Sequence, residues 1–398
     1  MSDVSRGPLR ARIVRFLLPA GTGRGAAEKG GGSAVRIGTL LELRDADGRW
    51  GWGEASPLPG YAGETPEHAA AVLLNWLADG GSAGTIAAEI DSWPLDFGDS
   101  SLASSPAARA AVVCALLDLA GRRTGAPIQE LLGAQSPVVQ GSSDGPTGGP
   151  AGGSVRLNAL VSLNDLDMAV ESAIEAGRRG IRTIKAKLGA GDRFDTDLEI
   201  LRAVRDAVGP SIAIRLDANG LWSVPEARRN LDRLAELEPE YVEEPVSGGD
   251  LVDLVGAAVP LAADESLHDR DVADRLLDSD AVSVVVLKPS PLGGLDKCMD
   301  LAGRAASSGK RSVVTHSFEG PVGHGAACEL ALAIAASHAE LSGGESMTCG
   351  LDRHAALEAW SDVAVPQLRD SSLVSAFVSG HGVDPTLLLE RSGADGSI

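Results

Sequence analysis

Five short apolar runs in the middle of the chain each end in charge, and this recurrence constrains the fold more than any other feature. They read Ile-Lys-Ala-Lys-Leu at 184–188, Arg-Leu-Asp-Ala-Asn at 215–219, Tyr-Val-Glu-Glu-Pro at 241–245, Ala-Asp-Glu-Ser at 263–266 and Val-Leu-Lys-Pro at 286–289. Strand-like runs lie at 155–161, 181–188, 211–217, 240–246, 260–264, 281–288 and 311–317. Helical patterns fill the gaps, for instance at 165–178, 195–208, 224–236 and 293–308. Strand–helix alternation implies a parallel sheet with helices outside it, and this many repeats implies a closed barrel. A doubly wound sheet competes, but its ligand site sits at one switch point, whereas here charge ends almost every strand.

Residues two apart on a strand share a face. Lys185 and Lys187 therefore point together, as do Arg215, Asp217 and Asn219, while Glu243 points opposite to Glu244. In a barrel the inward set at the C-terminal strand ends forms the active site. That set is Lys185, Lys187, Arg215, Asp217, Asn219, Glu243, Asp264 and Lys288. Asp217, Glu243 and Asp264 are spaced 26 (243 − 217) and 21 (264 − 243) residues apart, about one strand–helix unit each. Three converging carboxylates without Cys or His suit Mg²⁺ better than zinc or copper. A lysine beside such a cation is expected to have a pKa lowered toward neutrality and to serve as a general base. Lys187 is the candidate base, Lys185 is expected to bind an anionic group, and Lys288 faces the opposite side of the substrate. The chemistry this supports is proton abstraction α to a carboxylate, with Mg²⁺ holding the enediolate. His316 follows a strand without an Asp partner and is assigned a structural role, and His324 in Gly-His-Gly adds no chemistry to this reading.

The first third reads differently. Leu9–Pro19 and Ala34–Arg44 are strand-like, and Asp45-Ala46-Asp47-Gly48 is a hairpin signal before Trp50–Glu54. Gly21–Ser33 between them reads as a mobile lid or, equally, as a disordered decoration. Thr65-Pro66 and Ser105-Pro106 each open a helix. Residues 1–138 are thus expected as an α+β domain, 139–154 (Gly, Ser and Pro) as a linker, 155–348 as the barrel, and 349–398 as a segment packing back on the first domain. The expected architecture is α/β, a modified (β/α) TIM-type barrel with an α+β capping domain.

A net charge of −20 and a pI near 4.7 oppose nucleic-acid binding, which needs a basic surface. Four cysteines without close spacing suggest neither disulfides nor zinc. No apolar run of membrane-spanning length occurs, so a cytoplasmic enzyme without a membrane partner is expected.

These motifs resemble the enolase superfamily, in the branch with a Lys-x-Lys second strand, over nearly the whole chain. The resemblance implies Asp217, Glu243 and Asp264 as Mg²⁺ ligands and Lys187 and Lys288 as an acid/base pair. Within it, the stretch Trp50-Gly-Trp-Gly-Glu-Ala-Ser-Pro-Leu-Pro-Gly-Tyr61, Arg215, Ser317-Phe318-Glu319 and Gly350-Leu351-Asp352 look most like the o-succinylbenzoate synthase family of menaquinone biosynthesis. That likeness implies a Mg²⁺-dependent hydro-lyase converting 2-succinyl-6-hydroxy-2,4-cyclohexadiene-1-carboxylate, a small carboxylate, to 2-succinylbenzoate. It also implies Lys185, Arg215, Asn219 and Ser317 as substrate contacts. N-succinylamino acid racemisation or dipeptide epimerisation is the alternative. Thr315-His316 departs from the family's usual small hydroxyl residues, and the Gly-rich 139–154 insert departs from it too.

Overall fold

A computed structural model describes residues 9–19, 35–59, 61, 63–80, 95, 97, 100–134, 154–337, 347–376 and 378–391. The expected lid at 21–33 and residues 139–153 of the expected linker lie outside the described residues. Ser154, placed in that linker, opens a strand instead.

β1 (Arg10–Pro19), β2 (Val35–Arg44) and β3 (Trp50–Ala55) form an antiparallel meander. At its second turn the Gly48 N–H donates to the Asp45 carbonyl at 3.1 Å. Gly48 takes a φ of 80° there, a conformation open to glycine without a Cβ penalty. α1 (Pro66–Ala78) and α2 (Pro106–Thr124) begin as the capping signals indicate. Thr65 Oγ1 accepts from His68 N and Ser105 Oγ from Ala108 N, with proline in each first turn. α3 (Ile128–Ala134) follows. β3 lies directly on α2, because a Cβ on Gly51 or Gly53 would collide with the backbone carbonyls of Ala115 and Ala111.

The barrel begins with β4 (Ser154–Leu157) and β5 (Ala159–Val161), one strand interrupted at Asn158. Next come α4 (Leu166–Arg178), β6 (Thr183–Lys187), α5 (Asp192–Val208), β7 (Ala213–Asp217), α6 (Val224–Leu234), β8 (Tyr241–Glu243), β9 (Leu261–Ala263) and α7 (Arg270–Leu277). β10 (Val284–Leu287), α8 (Pro289–Leu292), α9 (Leu295–Ser307), β11 (Arg311–Val314) and α10 (Pro321–Ser337) continue it. Strands β5 to β11 pair in parallel in sequence order. β12 (Thr348–Cys349) closes the ring: it runs parallel to β4, and Gly350 bridges to Thr315 at the end of β11. The result is an eight-stranded barrel with helices outside. The inward faces of β8 to β11 put Tyr241, Ala262, Val284, Val286 and Val313 in a small apolar cluster inside the ring, as period-two alternation requires.

The boundary expected at 348 passes through β12. That strand escaped the sequence because its ladder is two residues long, too short for periodicity to register. The helix expected over 293–308 is broken at Gly293 and Gly294, whose φ values are 90° and 139°. α11 (Ala355–Glu358), β13 (Ser372–Val374) and α12 (Thr386–Arg391) complete the chain. The segment after the ring returns to the cap, where the Trp360 indole donates to the Leu17 carbonyl at 3.0 Å and Trp360 packs edge-on against Phe16.

Cap and barrel also share a buried ion pair. Arg109 on α2 meets Asp296 on α9 at 2.7 and 2.9 Å, with Asp296 fully buried. Removing one partner strands a buried charge. Arg109→Met is therefore expected to cost about 3–5 kcal/mol of stability, read as a lowered urea midpoint.

Candidate active site

Register places the charged residues in two layers. Lys187, Asp217 and Glu243 lie side by side on β6, β7 and β8, and Lys185, Arg215 and Tyr241 form the layer below. Lys185 Nζ donates to both Glu243 oxygens at 2.7 Å and meets Asp217 Oδ2 at 3.1 Å. Lys187 Nζ donates to Asn219 Oδ1 at 2.6 Å and to Asp217 Oδ2 at 3.2 Å. Lys288 follows β10, four strands from β6 in a ring of eight, so it faces Lys187 across the mouth. It donates to Asp264 and, at 2.6 Å, to Tyr61 Oη, whose own hydroxyl lies 3.2 Å from both Asp264 oxygens. Lys185, Lys187, Lys288 and Asp217 line one cavity with Tyr61, His316 and Ser317.

The structure brings the three carboxylates, the three lysines and Asn219 together. Asn219 takes a φ of 47°, its N–H donates to Asp217 Oδ1 at 3.0 Å and its side chain to Glu265 at 3.3 Å. Ser317 is among the residues lining the cavity, and its buried Oγ has no hydrogen-bond partner among the described residues. Arg215 is not brought to the mouth. It is 2% exposed, paired with Glu240 at 2.8 and 3.1 Å, and donates to Asn158 Oδ1 and to the Thr348 carbonyl of β12. It braces the closing strand from inside the ring. Glu244 faces away from the site and accepts from the N–H groups of Asp264 and Ser266 at 2.8 and 3.0 Å, and burial pushes its carboxyl up to about 8.

Burial acts to lower the pKa of Lys185 and Lys288, yet the carboxylates outweigh it and hold both ammoniums above the usual lysine range. Asp217 and Glu243 do this at Lys185, and Asp264, Glu265 and Glu243 at Lys288. Both shifts follow from the anions that surround these two ammoniums. Burial opposes ionisation of Asp217, but Lys185, Lys187 and Lys288 pull its pKa below the ordinary value. Glu243 is raised, first by burial and then by the Asp217 charge, against the pull of Lys185.

Among the described residues no group of three or more His, Cys, Asp or Glu side chains stands ready to hold a metal ion. Lys185 and Lys288 lie against the carboxylates instead. The donor chemistry nevertheless fits a hard divalent cation. Asp217, Glu243 and Asp264 are each 1% exposed, all offer oxygen, and burial together with the Asp217 charge raises the Glu243 carboxyl, a repulsion a cation would relieve.

Sequence reasoning missed Tyr61 as a site residue, because it enters from the cap and its partner lies 203 residues away. It also missed the tie from cap to mouth. Arg36 on β2 donates to the carbonyls of Ser56, Ser317 and Phe318, and Glu54 accepts from the N–H groups of Gly320 and Gly323. His316 and His324, discounted from the sequence, form a buried stack with His354, with His316 and His354 rings 4.1 Å apart and His324 Nδ1 3.3 Å from His354 Nε2. The Phe318 N–H donates to His316 Nδ1 at 3.1 Å, which assigns the ring proton to Nε2. Burial, then His324 and Lys288, keep this imidazole neutral.

Residues 168–383 match the family model described as enolase C-terminal domain-like, and residues 35–133 match the mandelate racemase/muconate lactonizing enzyme N-terminal domain. A hydrophobic dipeptide epimerase of Roseobacter litoralis is 30% identical over 274 residues, 67% of this chain and 72% of that one. An o-succinylbenzoate synthase of Thermobifida fusca is 38% identical over 167 residues, 41% of this chain and 52% of that one. A dipeptide epimerase of Enterococcus faecalis, solved in complex with Mg and the dipeptide L-Leu-L-Tyr, superposes with a TM-score of 0.72 at 22% identity, over 95% of this chain and 99% of that one.

Proposed function

The chain belongs to the enolase superfamily, and on that premise we propose that it forms 2-succinylbenzoate by dehydrating 2-succinyl-6-hydroxy-2,4-cyclohexadiene-1-carboxylate. The observation that carries the chemistry is the pair Lys187 and Lys288, set on opposite sides of three buried carboxylates. Lys187, the most exposed of the three site lysines, takes the α-proton on its Nζ. The electron pair left behind forms the ring double bond as the C–O bond breaks, and Lys187 returns its proton to the departing hydroxide as water. Lys288, held by Asp264 and Tyr61, places its ammonium against the negative charge that develops on the ring and carboxylate. A Mg²⁺ ion held by Asp217, Glu243 and Asp264 would supply the charge that stabilises the substrate carboxylate as it gains enediolate character.

The 38% identity to the Thermobifida synthase, over 41% of this chain, supports this substrate. So does the single acid of Leu351-Asp352-Arg353 at the mouth, Asp352, whose Oδ1 accepts from Arg179 and from the Arg353 N–H, both at 2.8 Å. The opposed lysines equally suit racemisation of N-succinylamino acids, which is the second reading. The test is a dehydration assay beside incubation with N-succinylamino acids in D₂O. Dehydration should be rapid, lost in EDTA and restored by Mg²⁺. Fast α-deuteration with negligible dehydration would select the racemase.

A further inference from the structure

The cavity is lined by charged and apolar groups together. Lys185, Lys187 and Lys288 line it from the strand ends, and the exposed residue Arg353 lines it from the segment after β12. Leu58, Leu160 and Phe318 give it apolar wall, with Leu160, the register partner of Lys185, 48% exposed. The acids that line the cavity are already engaged, Asp217 by lysines and Asp352 by Arg179. Arg353 has no side-chain partner among the described residues. An engaged acid beside a free guanidinium presents a net positive rim, and a guanidinium matches a carboxylate with two parallel hydrogen bonds.

We propose that Arg353 is a distal anion subsite that takes the terminal carboxylate of the substrate's acyl arm and so selects acid-terminated substrates. The strand-end lysines grip one carboxylate and Arg353 the other, while Leu58, Leu160 and Phe318 cover the methylenes between. This rests on the substrate class proposed above.

Binding of 2-succinylbenzoate and of benzoate, which lacks the arm, is to be measured by calorimetry in Mg²⁺ for the full chain and for Arg353→Gln and Arg353→Lys. One charge-assisted hydrogen-bonded pair corresponds to a preference of about tenfold or more. The wild type should favour 2-succinylbenzoate by that factor. Arg353→Gln should lose the preference to within about threefold, and Arg353→Lys should recover part of it. Arg353 is exposed, so thermal melts of both variants should match the wild type. An unchanged preference in Arg353→Gln, or a wild type with no preference, overturns the proposal. Parallel dehydration assays separate the two readings: a wild type that prefers the succinyl ligand through Arg353 but does not dehydrate keeps the subsite and sinks the hydro-lyase.

Discussion

Alanine at Lys187 is expected to lower kcat for dehydration about a thousandfold or more, within the range a positioned general base contributes, while the fold and Mg²⁺ binding survive. The side chain is 34% exposed and makes two hydrogen bonds. Its partners keep others: Asp217 retains Lys185 and the Asn219 N–H, and Asn219 retains Glu265. Circular dichroism and a Mg²⁺ titration should therefore overlay the wild type, and single-turnover assays should show the loss in the chemical step. Wild-type-like dehydration in this variant would remove Lys187 from the mechanism.

Methionine at Lys288 should act on both chemistry and stability. The ammonium faces developing negative charge, so its loss is expected to lower kcat about 10²–10³-fold. It is also a close partner of the buried Asp264 carboxylate, and breaking such a pair costs about 3–5 kcal/mol. Burial already raises the Asp264 carboxyl while Lys288 opposes that rise, so the variant's carboxyl will move higher. A carboxyl raised in the folded state binds more protons than the unfolded chain between the two pKa values, so stability falls as pH rises through that window. Urea midpoints at pH 5 and pH 8 should show the variant losing more at pH 8. A pH-independent deficit would mean that Asp264 is not the group left uncompensated.

Parity along the strands made the inward set legible, since it needs only the two-residue repeat. Depth along a strand is not carried by parity. Arg215 shares a face with Asp217 but starts two residues earlier, about 6–7 Å lower in the ring, which puts its guanidinium on Glu240 and β12 rather than on a ligand. Lys185 occupies the same lower layer, and its ammonium lies against Glu243 and Asp217. Tyr61, Arg36 and the histidine stack were hidden for another reason. Each depends on contacts between distant segments, and no local period encodes which cap residue reaches the mouth. The two-residue ladder of β12 gave no periodic signal, yet the ring depends on it.

That last strand has a consequence for how the molecule is made. During synthesis seven strands emerge before Thr348 and Cys349, so the nascent sheet carries two open edges, one along β4 and β5 and one along β11. Unpaired edges invite pairing with other chains. The hydrogen bonds that cover them, Asn158 N–H to the Cys349 carbonyl and Gly350 N–H to the Val314 carbonyl, both 2.9 Å, form only once residues 349 and 350 have left the ribosome. The same event delivers Asp352 and Arg353 to the rim and Trp360 to the cap. Chains cut short before residue 348 should consequently be recovered as aggregates rather than as weakened enzymes.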